Sequence, residues 1–461
     1  MPMLVTMMKI RDNSVYNKAA FSELSGLTSR IADKTLEQLE KEGVFVFPEL
    51  LKNSDDLTKD EIILQSVNDT YRTSNVMGYL GYGDKQLFIG SRFSKGENDF
   101  FLRYMLSKVL ELPNIVDFET NANNDETMFN ILVFLFPRYL MSAMRKGLFK
   151  TYIRNRYNDE NVKGTIDVPR HISKNTPFIG KIAYSQREYS YDNFLMELVR
   201  HTIEYIKKKP YGKAILLKSK DEVNAVTSAT PNYQVLDRKK VISDNQHNMI
   251  RHAYYREYRA LQQLCLLILQ NRKHKSGSGA NRLYGILFDG AWLWEEYINT
   301  IIGKYFHHPR NKTKEGKQYL FEKSRGEIYP DFISKNSSER IIADAKYKPI
   351  KNIGREDYYQ LLAYMFRFDA RKGLYIFPKA DDEENLVLRL NSGSTYENNI
   401  KSRDDIYVVK QGLCISAKDV SFEEFKKMMK FAEKEFLMCF KKNDNGYYGG
   451  SEYDKASQST V

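Results

Sequence analysis

The 461-residue chain contains little cysteine, and its cysteines are far apart. Cys265, Cys414 and Cys439 form no Cys-x-x-Cys pair, so the sequence predicts neither a disulfide framework nor a zinc site. Cys265 lies in an apolar, helix-like run, where burial is the expected role of a lone thiol. This pattern of cysteine usage favours a reducing compartment.

Long apolar segments are also missing. No apolar run approaches the roughly 18 residues of a membrane-spanning helix. The first residues lack the basic-then-apolar layout of a signal peptide, and the chain has no internal repeat. These features predict a cytoplasmic protein that does not contact a membrane.

A nucleotide-binding loop is a third feature that the sequence lacks. Gly78 and Gly83 are spaced like the glycines of a P-loop, but Asp84 stands where the lysine is needed and no serine or threonine follows. Residues 75–93 instead predict a β-hairpin that turns near Gly83 and Asp84. We therefore expect this chain to bind no nucleotide.

Basic residues are in excess. The 71 lysines and arginines against 59 acidic residues give a net charge of +12. Phosphate contacts supply much of the affinity of proteins for nucleic acids, so this charge fits a polyanionic partner, of which double-stranded DNA is one. The length predicts about three domains. We place a mixed α/β domain at 1–125, a mainly helical middle domain and linker at 126–280, a second α/β domain at 281–440 and a disordered tail at 441–461.

The most informative stretch of the chain is residues 329–348. It reads as two strands joined by a polar turn, with Pro330-Asp331 at the start of the first strand and Asp344-Ala345-Lys346 at the end of the second. Because side chains alternate along a strand, Asp344 and Lys346 share one face, and the hairpin brings Asp331 alongside. Two carboxylates can hold Mg²⁺ and leave positions open for water and a phosphate, while the lysine orients the water or stabilises charge.

The elements on either side extend this pattern. A helix predicted from 291 to about 305 carries Glu295 and Glu296, of which only one can face the site, and Glu295 is favoured. A second helix, 357–364, places Gln360 and Tyr364 four residues apart and therefore on one face. A short apolar strand at 373–378 follows.

The ordered set Pro-Asp … Asp-x-Lys resembles the PD-(D/E)xK nuclease superfamily, and Gln-x-x-x-Tyr resembles its RecB-like branch. The resemblance extends beyond this domain. Over residues 75–380 the chain is similar to McrC-type subunits of modification-dependent, type IV-like restriction systems and to their LlaJI-type relatives, whereas residues 1–74 match poorly. The segments that carry this similarity are Phe88-Ile89-Gly90-Ser91-Arg92-Phe93 with the following 100–106, Val162 to Ile172, Leu287 to Glu295, and Asp344-Ala345-Lys346-Tyr347-Lys348.

The resemblance implies a metal-dependent DNA endonuclease with a restriction-endonuclease-like mixed sheet at 281–440. It also implies a partner, a hexameric McrB-like AAA+ GTPase or ATPase, which the N-terminal half contacts and stimulates. The hairpin within 76–93 is the segment that we expect to meet this ring. In this interpretation Mg²⁺, or Mn²⁺, is bound by Asp331, Asp344 and the carbonyl of Ala345, Lys346 positions the attacking water, and Gln360, Tyr364 and Glu295 complete the site.

Three alternatives remain at this point. The chain is either a nuclease subunit, a non-catalytic adaptor that activates the motor, or a stand-alone RecB-like repair nuclease. The intact Asp331, Asp344 and Lys346 argue against the adaptor, and the N-terminal similarity argues against the stand-alone enzyme. Separately, the helix–Gly43–strand pattern of residues 29–48 is compatible with a DNA-reading winged helix or with an ordinary α/β unit.

Overall fold

The computed structural model is mixed α/β and forms two compact units. One unit comprises residues 1–120 with 280–461, and the other comprises residues 121–279. No helix in the described part of the chain is long and apolar enough to cross a membrane. The predicted tail at 441–461 lies outside that part. The structure describes residues 6–47, 60–94, 99–110, 124–274, 283–309, 316–380, 383–416, 420–438 and 440.

The N-terminal residues of the first unit are folded around a five-stranded sheet in the order β1-β7-β6-β11-β3. Strands β6 and β7 form the predicted hairpin, with Tyr82 opposite Lys85 and a two-residue turn between them. A smaller sheet has the order β2-β5-β4. The elements are β1 (Thr6–Arg11), β2 (Val15–Asn17), α1 (Ser25–Ile31), α2 (Leu36–Glu42), β3 (Val44–Phe47), β4 (Leu64–Val67), β5 (Thr70–Thr73), β6 (Val76–Tyr82), β7 (Lys85–Gly90), α3 (Phe100–Val109) and β11 (Leu283–Asp289).

Strand β11 joins two parts of the chain that the sequence assigned to separate domains. It pairs antiparallel with β6 over seven residues and parallel with β3 over four. Its apolar side chains Leu283 and Leu287 are buried in the same core as Ile10, Leu80 and Leu87. The structure therefore groups 1–120 with 280–461. Because β3 lies parallel to β11, it is part of an ordinary α/β unit rather than the antiparallel wing of a winged helix.

The second unit is mainly helical, as the sequence predicts for this region. Its α4 continues through Pro137 as one helix, although a proline inside a helix removes a backbone hydrogen bond. Within residues 162–171 only Thr165–Ile166 form a strand, and Asp167 then caps a helix that has Pro169 in its first turn. The elements are α4 (Asn124–Met144), β8 (Thr151–Asp159), β9 (Thr165–Ile166), α5 (Val168–Lys174), β10 (Ile182–Ser190), α6 (Phe194–Lys207), α7 (Gly212–Leu217), α8 (Lys220–Ala229), α9 (Arg238–His247) and α10 (Arg256–His274).

The C-terminal residues of the first unit form a six-stranded mixed sheet in the order β12-β15-β16-β17-β19-β18. Strands β16, β17 and β19 are parallel, and β12, β15 and β18 run against their neighbours. A two-stranded sheet, β13-β14, accompanies it. The elements are α11 (Gly290–Ile302), β12 (Phe306–His307), β13 (Gln318–Phe321), β14 (Arg325–Ile328), β15 (Phe332–Ser334), β16 (Ile341–Ala345), α12 (Arg355–Arg367), β17 (Lys372–Lys379), β18 (Leu386–Ser392), β19 (Lys401–Cys414) and α13 (Phe422–Met438).

A buried carboxylate holds the helices beside this sheet together. Glu433 on α13 accepts hydrogen bonds from Tyr104 on α3 (2.8 Å) and Tyr297 on α11 (2.9 Å). Lys108 completes the cluster with an ion pair of 2.9 Å. Hydrogen bonds to a charged group are among the stronger ones in proteins, so this cluster fixes α11 and the glutamates it carries.

Gly78 provides a test of the pairing between β6 and β11. Its φ is +146°, and a Cβ there would lie 2.1 Å from the carbonyl oxygen of Ile286. We expect Gly78→Ala to lower the free energy of unfolding by about 3 kcal/mol, because the strands must separate and the backbone is strained. Gly26→Ala is the control, since its Cβ meets nothing within 4 Å. Urea unfolding that shows equal stability for both variants would contradict the pairing.

Candidate nuclease site

The pairing of β15 with β16 brings the two predicted carboxylates together. Phe332 lies opposite Ala343 and Ile333 opposite Ile342 in an antiparallel ladder. Extending this register by one residue places Asp331 opposite Asp344, and directly opposed side chains lie on the same face about 5 Å apart. The amide of Ala345 donates to Oδ2 of Asp331 at 2.9 Å, which holds that carboxylate beside the end of β16.

Asp331 is the most strongly perturbed carboxyl group of the site. The residue keeps part of its surface exposed, but its carboxyl group is enclosed by protein, and this burial is the largest cause of its pKa lying well above the usual value. The negative charges of Glu295 and Asp344 raise the pKa further, whereas Lys346 and the Ala345 amide lower it. Three carboxyl groups therefore lie close enough to repel one another.

Lys346 is the cation of the site. Its Nζ lies 2.7 Å from Oδ2 of Asp344, in an ion pair that does not satisfy the angles of a hydrogen bond. Burial lowers the pKa of Lys346, but the charges of Asp344 and Asp331 outweigh it and raise the pKa overall. The ammonium group consequently keeps its proton at neutral pH and acts here as a hydrogen-bond donor.

Helix α12 supplies the next contacts of this lysine. Nζ of Lys346 donates to Oε1 of Gln360 at 3.1 Å, and Nε2 of Gln360 donates to the hydroxyl of Tyr364 at 3.0 Å. The i, i+4 spacing within the helix explains why Gln360 and Tyr364 meet. The structure thus brings Gln360 to the lysine rather than leaving it on a separate surface.

Glu295 and Glu296 on α11 approach the site from the other side. Glu295 is nearly buried and is the glutamate that acts on the pKa of Asp331. Both glutamates lie 3.7 Å from different nitrogens of one imidazole, that of His308. Of the two glutamates, Glu295 is the one whose charge raises the pKa of Asp331, and it is also the one that the sequence favoured.

Two residues of this arrangement were not singled out from the sequence. Nδ1 of His308 lies 3.0 Å from the carbonyl oxygen of Asp331, and its ring stacks on Phe332 at 4.9 Å between centroids. Burial lowers the pKa of His308, but Glu296 and the Asp331 carbonyl outweigh burial and raise it. The only sequence signal was the pair His307-His308 after the predicted helix, which is too common to identify a site.

Asp357 is the second residue that sequence reasoning missed. Its carboxylate accepts the amide of Gly354 at 2.9 Å at the start of α12, and both its oxygens lie 2.8 Å from Nζ of Lys348. It also lies 3.6 Å from Nζ of Lys346. Burial raises the pKa of Asp357, but these bonds lower it overall, so it stays ionised. Its position three residues before Gln360 at a helix start was the available signal.

The donor set fits a hard divalent cation. Asp331 and Asp344 offer carboxylate oxygens on one face, and the buried Oδ2 of Asp344 has the ion pair with Lys346 but no hydrogen bond. Magnesium prefers such oxygen ligands and retains several waters, so two carboxylates and a main-chain carbonyl suffice. Among the described residues, no group of three or more His, Cys, Asp or Glu side chains has the geometry of a metal site.

Comparison with known proteins places the chain in a family. The family described as McrBC 5-methylcytosine restriction system component matches residues 71–378, well over half of the chain. The chain belongs to this family, and the resemblance found in the sequence motifs is confirmed. No curated protein matches the chain.

Two solved assemblies from Thermococcus gammatolerans are similar to the chain. One is a refined half-complex from a tetradecameric assembly of McrB AAA+ hexamers with bound McrC; it is 13% identical with a TM-score of 0.44, over 93% of this chain and 100% of that one. The other is a cryo-EM structure of the McrBC complex, 13% identical with a TM-score of 0.29, over 65% and 88%. TM-scores below 0.5 are too low to transfer a role to this chain.

The raised pKa of Asp331 makes a prediction about stability without metal. A carboxyl group whose pKa is higher in the folded state contributes stability at low pH and loses it as the pH rises through the folded pKa. In metal-free buffer, the contribution of Asp331 to the stability of the wild type should therefore fall from about pH 4 upward. The Asp331→Asn variant should lose less stability than the wild type as the pH rises, and at pH 8 it should be at least as stable as the wild type.

Urea unfolding at several pH values in the presence of a chelator measures this difference. Asp404→Asn is the control, because Asp404 is an exposed aspartate paired only with exposed Arg389. The control should follow the wild type. If the free energy of unfolding depended on pH equally in the wild type and in Asp331→Asn, repulsion between Asp331 and the neighbouring carboxylates would not affect stability.

Proposed function

We propose that this chain is the McrC-type nuclease subunit of its restriction system and hydrolyses DNA phosphodiesters with Mg²⁺ or Mn²⁺. The observation that carries the proposal is the meeting of Asp331, Asp344 and Lys346 at the ends of two adjoining strands. Glu295 and Gln360 approach this set from α11 and α12. The order of these elements supports a PD-(D/E)xK fold for the C-terminal sheet.

The residues of the site have separable roles in this mechanism. Asp331, Asp344 and the carbonyl of Ala345 would hold the metal ion, with Glu295 nearby. When bound, the metal lowers the pKa of water and stabilises negative charge on the phosphate. Lys346 remains protonated, so it orients the attacking water or a phosphate oxygen by donating a hydrogen bond. Gln360 holds the lysine in place, and Tyr364 holds Gln360.

The adaptor alternative predicts a degenerate site, and this site is not degenerate. Both carboxylates, the lysine and the helix residue that receives the lysine are present and in contact. Buried carboxylates that repel one another cost stability, and their retention supports a functional role over a packing role. DNA cleavage with and without the AAA+ partner distinguishes the nuclease subunit from the adaptor and from the stand-alone nuclease.

Two surfaces are candidates for contact with an AAA+ ring. The β6-β7 hairpin lies inside the five-stranded sheet, and its turn is held by a hydrogen bond from the amide of Thr6 to the carbonyl of Asp84 at 3.0 Å. Of this hairpin, only the turn residues Gly83 and Asp84 can therefore extend beyond the paired strands toward a ring. The second surface is the ribbon of β8 and β10, whose nine-residue strands carry exposed aromatic side chains.

The ribbon is the better candidate for protein contact. Tyr152 and Tyr189 lie directly opposite each other with ring centroids 4.9 Å apart, and both are at least half exposed. Arg187 lies over the ring of Tyr152 and Lys150 over that of Tyr189. Aromatic and arginine side chains exposed together are enriched at protein interfaces.

Substitution of the site residues tests the chemistry. Asp344→Asn and Lys346→Met remove the charge of each side chain but nearly keep its size, so the fold should persist. We expect at least about a hundredfold loss of Mg²⁺-dependent plasmid cleavage by the assembled complex. The nucleotide hydrolysis of the partner should be unchanged. Asp404→Asn is the control and should cut normally. A variant of either site residue that cuts at the wild-type rate would show that the site is wrongly assigned.

Substitution of the two surfaces tests the contact with the motor. Tyr152→Ser combined with Tyr189→Ser removes the aromatic pair, and we expect it to abolish most of the stimulation of partner hydrolysis. Replacing residues 82–86 with a short Gly-Ser turn should leave most of the stimulation intact. Tyr396→Ser, at a fully exposed tyrosine, is the matched control. Normal stimulation by the ribbon variant and loss with the turn variant would reverse the assignment.

A further inference from the structure

Three segments that are far apart in sequence meet around Tyr347, the residue that follows Lys346. The hydroxyl of Tyr347 lies 2.6 Å from Oγ of Ser91 and 3.4 Å from Sδ of Met77, both in the N-terminal sheet region. A Cβ on Gly290, at the start of α11, would lie 2.9 Å from the Tyr347 ring. The ring is almost fully buried, so these contacts fix its orientation.

Arg92 contacts this tyrosine in two ways at once. Its guanidinium lies 4.6 Å from the centre of the Tyr347 ring, and Nη2 donates to the main-chain carbonyl of Tyr347. Asp12 holds the arginine itself, because Oδ2 lies 3.0 Å from Nη1 and Oδ1 accepts the Arg92 amide at 2.6 Å. Planar guanidinium groups suit this combination of stacking and multiple donation, which a lysine cannot reproduce.

The main chain that Arg92 contacts is the short stretch that follows β16. Strand β16 ends at Ala345, so the residues that follow are outside the regular ladder. The amide of Lys346 donates to the carbonyl of Ile376 at 2.8 Å, which also accepts Nε1 of Trp294 at 3.0 Å. Arg92 holds the same short stretch from the other end, at the carbonyl of Tyr347.

We propose that Arg92 is a positioning residue for the nuclease site, which through Tyr347 fixes the end of β16 that carries Asp344, Ala345 and Lys346. The inference rests on the proposed function, since it names a residue that acts on the same site without touching substrate. It makes cutting depend on the N-terminal sheet, because Asp12 directly follows β1 and Arg92 lies two residues after β7. Displacing reacting groups by about 1 Å can cost on the order of a hundredfold in rate.

The experiment compares Arg92→Lys with Arg103→Lys in the full chain assembled with its AAA+ partner. Arg103 is a matched control because it stacks on Phe422, 3.8 Å from the ring centre, in the same unit. For Arg92→Lys we expect the kcat of Mg²⁺-dependent cleavage to fall at least about tenfold and the half-saturating Mg²⁺ concentration to rise. The KM for DNA and the partner's nucleotide hydrolysis should be unchanged.

Amide hydrogen exchange supplies a readout that does not depend on activity. Arg92→Lys should speed exchange within 344–348, since the amides of Ala345 and Lys346 lose their fixed partners, and leave β17 and β19 protected. Tyr347→Phe keeps the ring and the carbonyl and should cut nearly normally. Tyr347→Leu should reproduce the defect of Arg92→Lys, and the two defects should not add.

The possible outcomes separate this inference from the proposed function. Wild-type kcat, Mg²⁺ dependence and exchange in Arg92→Lys would overturn the positioning role. Uniformly faster exchange over the unit, or an equal defect in Arg103→Lys, would also overturn it by showing a general packing effect. If the wild type does not cut DNA with Mg²⁺, the proposed function fails, while exchange within 344–348 still decides whether Arg92 orders the strand end.

Discussion

Repulsion between buried carboxylates is the constraint that organises the C-terminal half of this protein. Asp331 and Asp344 are forced together by the β15-β16 ladder, and Glu295 adds a third negative charge. Buried like charges are unfavourable unless cations or donors compensate them. Lys346 and the amide of Ala345 supply that compensation without a metal ion, and the remaining excess of negative charge is what a divalent cation would relieve.

The elements around the site are held by contacts that keep this arrangement rigid. Helix α11 is fixed by the hydrogen bonds of Tyr104 and Tyr297 to Glu433. Helix α12 is fixed at its start by Asp357, whose main-chain carbonyl accepts the hydroxyl of Tyr375 on β17. The two helices therefore present Glu295 and Gln360 from fixed positions. Preorganised side chains of this kind lower the cost of reaching the reactive geometry.

The N-terminal sheet and the proposed nuclease site are parts of one structural unit. Strand β11 completes the N-terminal sheet and leads directly into α11, which carries Glu295. Arg92 and Ser91, after β7, contact Tyr347, the residue that follows Lys346. Residues 88–93, 287–295 and 344–348, which carry the similarity to the family, therefore contact one another around Tyr347. This explains physically why the N-terminal motif and the Asp-x-Lys motif occur together in this chain.

The features that follow from local chain geometry were already predictable from the sequence. Alternation along a strand put Asp344 and Lys346 on one face, and the helical repeat put Gln360 beside Tyr364, where the structure shows a hydrogen bond of 3.0 Å. The hairpin at Gly83-Asp84 and the helix at 290–302 have the same local origin. Such periods depend only on neighbouring residues, so one sequence suffices to read them.

Contacts between distant segments were decided only by the tertiary structure. No local sequence pattern indicates that β11 pairs with both β6 and β3. The same holds for the contact of His308 with the carbonyl of Asp331 and for the hydrogen bond from Arg92 to the carbonyl of Tyr347. Long-range pairings form because they bury apolar surface and satisfy polar groups together, and that balance belongs to the whole fold rather than to any one segment.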